Sequence, residues 1–248
     1  MKHILFGGDG FVGRHLAARL VADGEDVIIC DIAKSDLPHY ANSHFIPLDV
    51  TDKAQFNKVD IGADDMVYNL SAKMLSPIQI RSKRHEFFWP VNYHGTEHII
   101  EKMASSNAGR LVHYTTDMIY GHTFSYPQTE DHPAKPLGEY GLSKYKTEEL
   151  AEQWRGRGMN ITLFRPRLII GPGRLGILSK LFKLVDYNLP VPMIGSGRNP
   201  YQFISVFDCA EAARLAWKAD VPNEAFNLGS DNPPPVRKLL SDLIKHAG

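Results

Sequence analysis

Apolar runs bounded by glycine and polar residues alternate, from Met1 to Arg165, with longer segments whose apolar positions recur at helical spacing. Met1–Phe6 carries Ile4-Leu5-Phe6 and reads as a buried strand. Asp26–Cys30 reads as a second strand, ending at Asp31. Phe45–Leu48, Met66–Leu70, Arg110–Thr115 and Ile161–Arg165 read as four more. Arg14–Ala22 places Leu16, Ala17, Leu20 and Val21 on one helical face. Longer helices are predicted at about Pro90–Ser105, with Pro90 in the first turn, and at Glu139–Arg155. Gly121–Gly138, rich in proline, is expected to be loop. Strands alternating with helices imply a parallel sheet covered on both faces.

The rhythm changes after Arg165, where prolines cut the chain into short pieces. Helices are predicted at Leu178–Tyr187, Asp208–Ala219 and Val236–His246, and short strands near Phe203–Val206 and Ala225–Leu228. The expected division is a nucleotide-binding domain over 1–165 and a smaller lobe over 166–248 that returns elements to the sheet.

Composition narrows the class. The 248 residues are 43% hydrophobic and carry 28 basic and 28 acidic side chains, a formal charge of zero. Such a balance argues against a nucleic-acid or anionic-membrane surface. No apolar run is long enough to span a bilayer as a helix, so no membrane span is expected, and with the first strand predicted from Met1 no signal peptide is expected. Cys30 and Cys209 are spaced for neither metal nor a disulfide framework, and two buried thiols are expected. A reducing cytoplasm is the expected location. The sequon Asn160-Ile161-Thr162 falls within a predicted strand and is read as chance.

The candidate chemistry begins at Gly7-Gly8-Asp9-Gly10-Phe11-Val12-Gly13. Strand, glycine turn, helix, strand and acid make up the layout of a dinucleotide-binding unit. Gly7 permits a tight turn, Gly10 lets a pyrophosphate approach the backbone, and Gly13 lets the helix pack on the sheet. The helix N-terminus at Phe11 and Val12 aims N–H groups and a partial positive charge at the phosphates. Asp31 is placed to bind a ribose diol and would repel a 2′-phosphate, favouring NAD over NADP. The acid at Asp9 must then point away from the pyrophosphate.

Tyr140 and Lys144, four apart on a predicted helix, share a face. An ammonium beside a phenol favours the phenolate, making Tyr140 a candidate acid/base. Thr116, in Thr115-Thr116-Asp117, offers a hydroxyl to the same crevice, or else satisfies its own loop.

These stretches, with Val91-Asn92-x-x-Gly95-Thr96, Gly171-Pro172-Gly173, Gly195-Ser196-Gly197 and Phe226-Asn227-Leu228-Gly229, run in order through nearly the whole chain. The chain thereby resembles the extended short-chain dehydrogenase/reductase family, in its sugar-nucleotide epimerase/dehydratase branch. The resemblance implies an α/β, Rossmann-type doubly wound sheet with a small C-terminal substrate lobe. It implies catalysis by Thr116, Tyr140 and Lys144 with NAD as cofactor. Asp49 and Val50 would sit by the adenine. Leu70, Ser71 and Ala72 would line the cofactor path, completed by Thr115 and Pro166. Lys73, Arg165, Arg198 and Tyr201 would join Thr116 at the substrate. Asn92 is expected to be structural. A homodimer through the two long helices is implied by the resemblance alone.

Three departures shape the expectation. Met118 stands where related dehydratases carry a glutamate, which argues against dehydration by that route. Tyr201 stands where many relatives grip a diphosphate with arginine, and Arg198 is either its substitute or a solvated loop residue. Relatives also run longer. The leading expectation is an NAD-dependent nucleotide-sugar epimerase. The alternatives are a dehydrogenase of a non-nucleotide alcohol and a non-catalytic nucleotide-binding protein.

Overall fold

In a computed structural model the structure describes residues 1–74, 79–173, 183–187, 189–193 and 195–247. The strands are β1 (Lys2–Phe6), β2 (Asp26–Asp31), β3 (His44–Pro47), β4 (Met66–Asn69), β5 (Arg110–Tyr114), β6 (Asn160–Pro166), β7 (Leu168–Ile170), β8 (Phe203–Ser205) and β9 (Ala225–Leu228). The helices are α1 (Phe11–Ala22), α2 (Arg84–Trp89), α3 (Gly95–Ser105), α4 (Gly138–Arg155), α5 (Val206–Lys218) and α6 (Val236–Ala247). Seven strands form one parallel sheet in the order β3-β2-β1-β4-β5-β6-β9. This is the doubly wound α/β sheet. β7 and β8 pair parallel in a separate two-stranded sheet, and β9 returns to the main sheet beside β6.

Alternation along each strand divides the core in two. Ile4 and Phe6 of β1 face a cluster with Ile99 and Met103 of α3 and Leu150 of α4. Leu5, one residue off, faces Leu16 and Leu20 of α1 and Cys209 and Ala213 of α5. Both cysteines are free and buried, and burial pushes each thiol up to about 12. Among the described residues no helix is long and apolar enough to cross a membrane.

One predicted boundary is corrected. The helix expected to start at Pro90 begins at Arg84 and runs through Pro90. Proline inside a helix removes one N–H donor and crowds the preceding turn. Here Pro90–His94 widens into a π turn, in which Gly95 N–H reaches Pro90 O. Phe88, fully buried ahead of the proline, anchors the earlier turn. Of the helix predicted at Leu178–Tyr187, residues 178–182 lie outside the described residues. Residues 183–186 are helical, with Tyr187 N–H on Lys183 O.

Sheet order reverses between β1 and β4, the point at which such sheets open a crevice at their strands' C-terminal ends. Gly7 (φ +77°) follows β1, and a Cβ there would lie 2.6 Å from Ser71 N after β4. Gly13 closes α1 onto the turn: its Cβ would stand 2.4 Å from Gly7 O and 2.6 Å from Gly8 Cα. Both neighbours are backbone and cannot swing aside. Gly13→Ala is therefore expected to destabilise by about 1–3 kcal/mol. Helix propensity alone would stabilise by about 1 kcal/mol. The direction of the shift in denaturant midpoint decides between the two, and a rise would show that α1 is not clamped to the turn.

Candidate active site

One end of the crevice is built from the turn after β1 and the end of β2. Asp31 Oδ2 accepts Asp9 N–H at 3.0 Å and Oδ1 accepts Ile32 N–H at 2.7 Å. Burial raises the Asp31 carboxyl above its ordinary value, against the pull of these N–H bonds. A carboxylate offers about four acceptor positions, so capacity for a ribose diol remains. Asp9 turns its carboxylate away from the helix N-terminus, as expected, onto Ser35 and Tyr40. Asp49, after β3, accepts Thr51 N–H and Oγ1–H, and Val50 is buried with its carbonyl on His98 Nδ1.

Gly10 precedes α1 as its N-cap and offers no side-chain bond, and the helix carries no acid in its first turn. Its positive end is thus left for an anion. Phe11 and Val12 open that turn. A Cβ on Gly10 would press on Gly7 O at 3.0 Å, so Gly10 keeps the turn compact as well as open. Ser71 Oγ, beside Gly7, is buried and has no hydrogen-bond partner among the described residues. Such an orphaned hydroxyl on the path from Leu70 to Ala72 fits a polar ligand. Asp31, the α1 N-terminus and Ser71 are the parts that would hold ribose, pyrophosphate and the path onward.

The second half of the crevice lies at the end of β5. Lys144 is 2% exposed, and its Nζ donates to Tyr114 O at 2.9 Å. Burial lowers Lys144 to about 8, with Glu148 pulling the other way. Tyr140, one turn earlier on α4, packs edge-on to Phe88 at 5.5 Å. Thr116 is buried; its Oγ1 accepts Met118 N–H at 3.3 Å and lies 3.4 Å from Asp117 Oδ1. Its hydroxyl thus caps the turn that follows β5. Asn92 holds the neighbouring backbone: Oδ1 accepts Lys73 N–H, and Nδ2 donates to Lys73 O and Ser143 Oγ. This is a positioning role, in keeping with the expectation for Asn92.

A cluster that periodicity did not reveal sits behind Lys144. Glu148 accepts Thr115 Oγ1–H at 2.6 Å and Arg165 Nη2–H at 2.7 Å. Arg165 Nη1 donates to Tyr120 Oη at 2.8 Å and to Glu130 O, and Tyr120 Oη donates to Asn227 Oδ1. The hydroxyl of Thr115 and the guanidinium of Arg165 are therefore engaged inside the protein. The spacing of Lys144 and Glu148, one turn apart on α4, is the sequence signal that could have found it. Pro166 closes β6 opposite Leu228. Asp117 pairs with Arg167. Arg198 is exposed and lines a cavity of about 490 Å³ with Arg237, Lys238 and Lys245 of α6. Tyr201 instead packs its ring against Phe203 at 5.0 Å, with its N–H on Pro234 O.

Comparison with known proteins agrees with this architecture. The chain is 29% identical over 246 residues to an uncharacterized protein of Sinorhizobium fredii, covering 98% of this chain but only 60% of that one. It is 28% identical over 254 residues to a putative UDP-glucose 4-epimerase of Methanocaldococcus jannaschii, covering 98% of this chain and 81% of that protein. The crystal structure of a UDP-glucose 4-epimerase with UDP-glucose from Thermotoga maritima superposes with a TM-score of 0.86 at 24% identity, over 100% of this chain and 83% of that one. The model of the NAD dependent epimerase/dehydratase family matches residues 4–229. The cofactor of this family is NAD, which the crevice would hold, and the chain is an enzyme belonging to the NAD-dependent epimerase/dehydratase family.

Proposed function

We propose that this enzyme epimerises a nucleotide sugar through a transient keto form. The reading is carried by Tyr140 and Lys144, at consecutive turns of α4 beside the C-terminal end of β5, with the non-titrating Met118 following Thr116-Asp117. Similarity to proteins named as UDP-glucose 4-epimerases supports the substrate class.

In the proposed reaction Tyr140, as phenolate, takes the proton of a sugar hydroxyl. The O–H electron pair forms the C=O bond, and the hydrogen on that carbon leaves as hydride. When bound, NAD supplies the nicotinamide carbon that accepts the hydride and returns it. Return of the hydride to the opposite face of the ketone would invert the centre, with Tyr140 giving the proton back to the sugar oxygen. Lys144 favours the phenolate by its charge. Thr116 hydrogen-bonds the sugar oxygen as it loses its proton, and Lys73 borders the substrate side. Because the hydride returns, no net oxidant is consumed.

The experiment is to offer candidate UDP-sugars while following the absorbance of reduced nicotinamide. Interconversion of two epimers without net reduction is expected. Tyr140→Phe should lower kcat by about 10²–10⁴; full turnover in that variant would remove Tyr140 from the acid/base role. Tyr201, in place of a diphosphate-gripping arginine, favours one second reading, net oxidation of a non-nucleotide alcohol. Stoichiometric release of NADH would select it and sink epimerisation.

A further inference from the structure

An acid inside the glycine turn is an unusual choice where two phosphates must approach, and its surroundings explain it. Asp9 is 8% exposed. Its Oδ2 accepts Ser35 N–H at 3.0 Å and Ser35 Oγ–H at 2.7 Å, and its Oδ1 accepts Tyr40 Oη–H at 2.6 Å. Burial, then the bond to Asp9, pushes the Tyr40 phenol far up, so it stays a donor. These three donors come from the segment following β2, just beyond Asp31. Two cations stand close: Lys34 Nζ lies 4.9 Å over the Tyr40 ring, and Arg14 Nη2 donates to Asp9 O at 3.4 Å.

A backbone N–H, two hydroxyls and two cations make a donor set for a phosphate monoester. It adjoins Asp31, the acid placed to take the ribose diol: Asp9 N–H donates to Asp31 Oδ2 at 3.0 Å, so a phosphate on that diol would meet this loop. In this chain a carboxylate of the protein already takes all three donors. We propose that Asp9 is an internal anion filling the niche a 2′-phosphate would otherwise enter, and so a second determinant of NAD over NADP beside Asp31. Asp31 repels the phosphate from the diol. Asp9 denies it partners on the adjoining loop.

The test is calorimetric titration of the full chain with NAD and with NADP. Asp9→Ala should tighten NADP by about tenfold or more, since charge-assisted bonds to the vacated donors become available, and leave NAD within about threefold. Adding Ser35→Ala and Tyr40→Phe should abolish the gain. Unchanged NADP affinity in a folded Asp9→Ala protein, or a gain that survives loss of both hydroxyls, would overturn the proposal. Should the variant fail to fold, hydrogen exchange on the wild type decides. Asp9 keeps its bonds to Ser35 and Tyr40 and leaves the 2′-phosphate no donors on this loop, so amides over 33–42 should be no better protected with NADP bound than with NAD. Stronger protection of this loop by NADP would refute the proposal.

Discussion

Lys144→Met is expected to lower kcat by about 10²–10⁴ while leaving the protein at least as stable as the wild type near neutral pH. The two effects share one cause. Lys144 is an ammonium held almost out of water, and burial brings it from near 10.5 to about 8. Each unit of such a shift is worth about 1.4 kcal/mol, so its charge costs the fold about 3 kcal/mol below pH 8. The sign follows from proton binding. Between about pH 8 and 10.5 the unfolded chain holds the lysine proton and the folded chain does not. Stability must rise with pH across that window, through this group, and level off above it. Methionine removes the charge but leaves Tyr114 O without its donor, which costs about 1–3 kcal/mol. Chemical denaturation of the NAD-free protein at a series of pH values reads the balance. The alkaline rise should be present in the wild type and missing in Lys144→Met. A rise of equal size in both would mean that Lys144 is not the group responsible.

Arg165→Met alone should cost about 3–5 kcal/mol, because it strands the Glu148 carboxylate in a buried site. The side chains are 12% and 6% exposed, so little solvent reaches the carboxylate left without its partner. Adding Glu148→Leu should recover most of the loss, since a buried pair replaced by apolar residues of similar size is often neutral or stabilising. The two hydroxyls in the cluster survive the double change. Thr115 Oγ1 keeps Phe164 O, and Tyr120 Oη keeps Asn227 Oδ1. Urea unfolding of the single and double variants checks this, and a double variant as unstable as the single would mean the cluster is not a closed pair. The same variants address the expectation that Arg165 touches substrate. If it does, KM stays raised in the double variant even where stability returns. If Arg165 only braces β6 against α4, KM recovers with the fold.

What could be read along the chain was local. β1, the glycine turn, α1, β2 and Asp31 are contiguous, and each is announced by its own period or its own glycine. Thirty residues of pattern sufficed for a nucleotide-binding unit, and Tyr140 and Lys144 followed from helical spacing. The start of the long helix was misread for the same reason. Pro90 signals a first turn when seen alone, and only the anchoring of Phe88 against the core makes a π turn through it worthwhile. Glu148–Arg165, Asp117–Arg167 and Asp9–Tyr40 join residues 17, 50 and 31 positions apart. No period along the chain brings such partners together; they meet only after the sheet has placed β5 beside β6 and the segment after β2 beside the glycine turn. The sequence by itself thus determined most of the elements, the nucleotide-binding turn and a set of candidate side chains. The tertiary structure decided which of the charged groups are spent on one another, because burial makes an unpaired charge too costly and leaves for a ligand only what the fold has not already used.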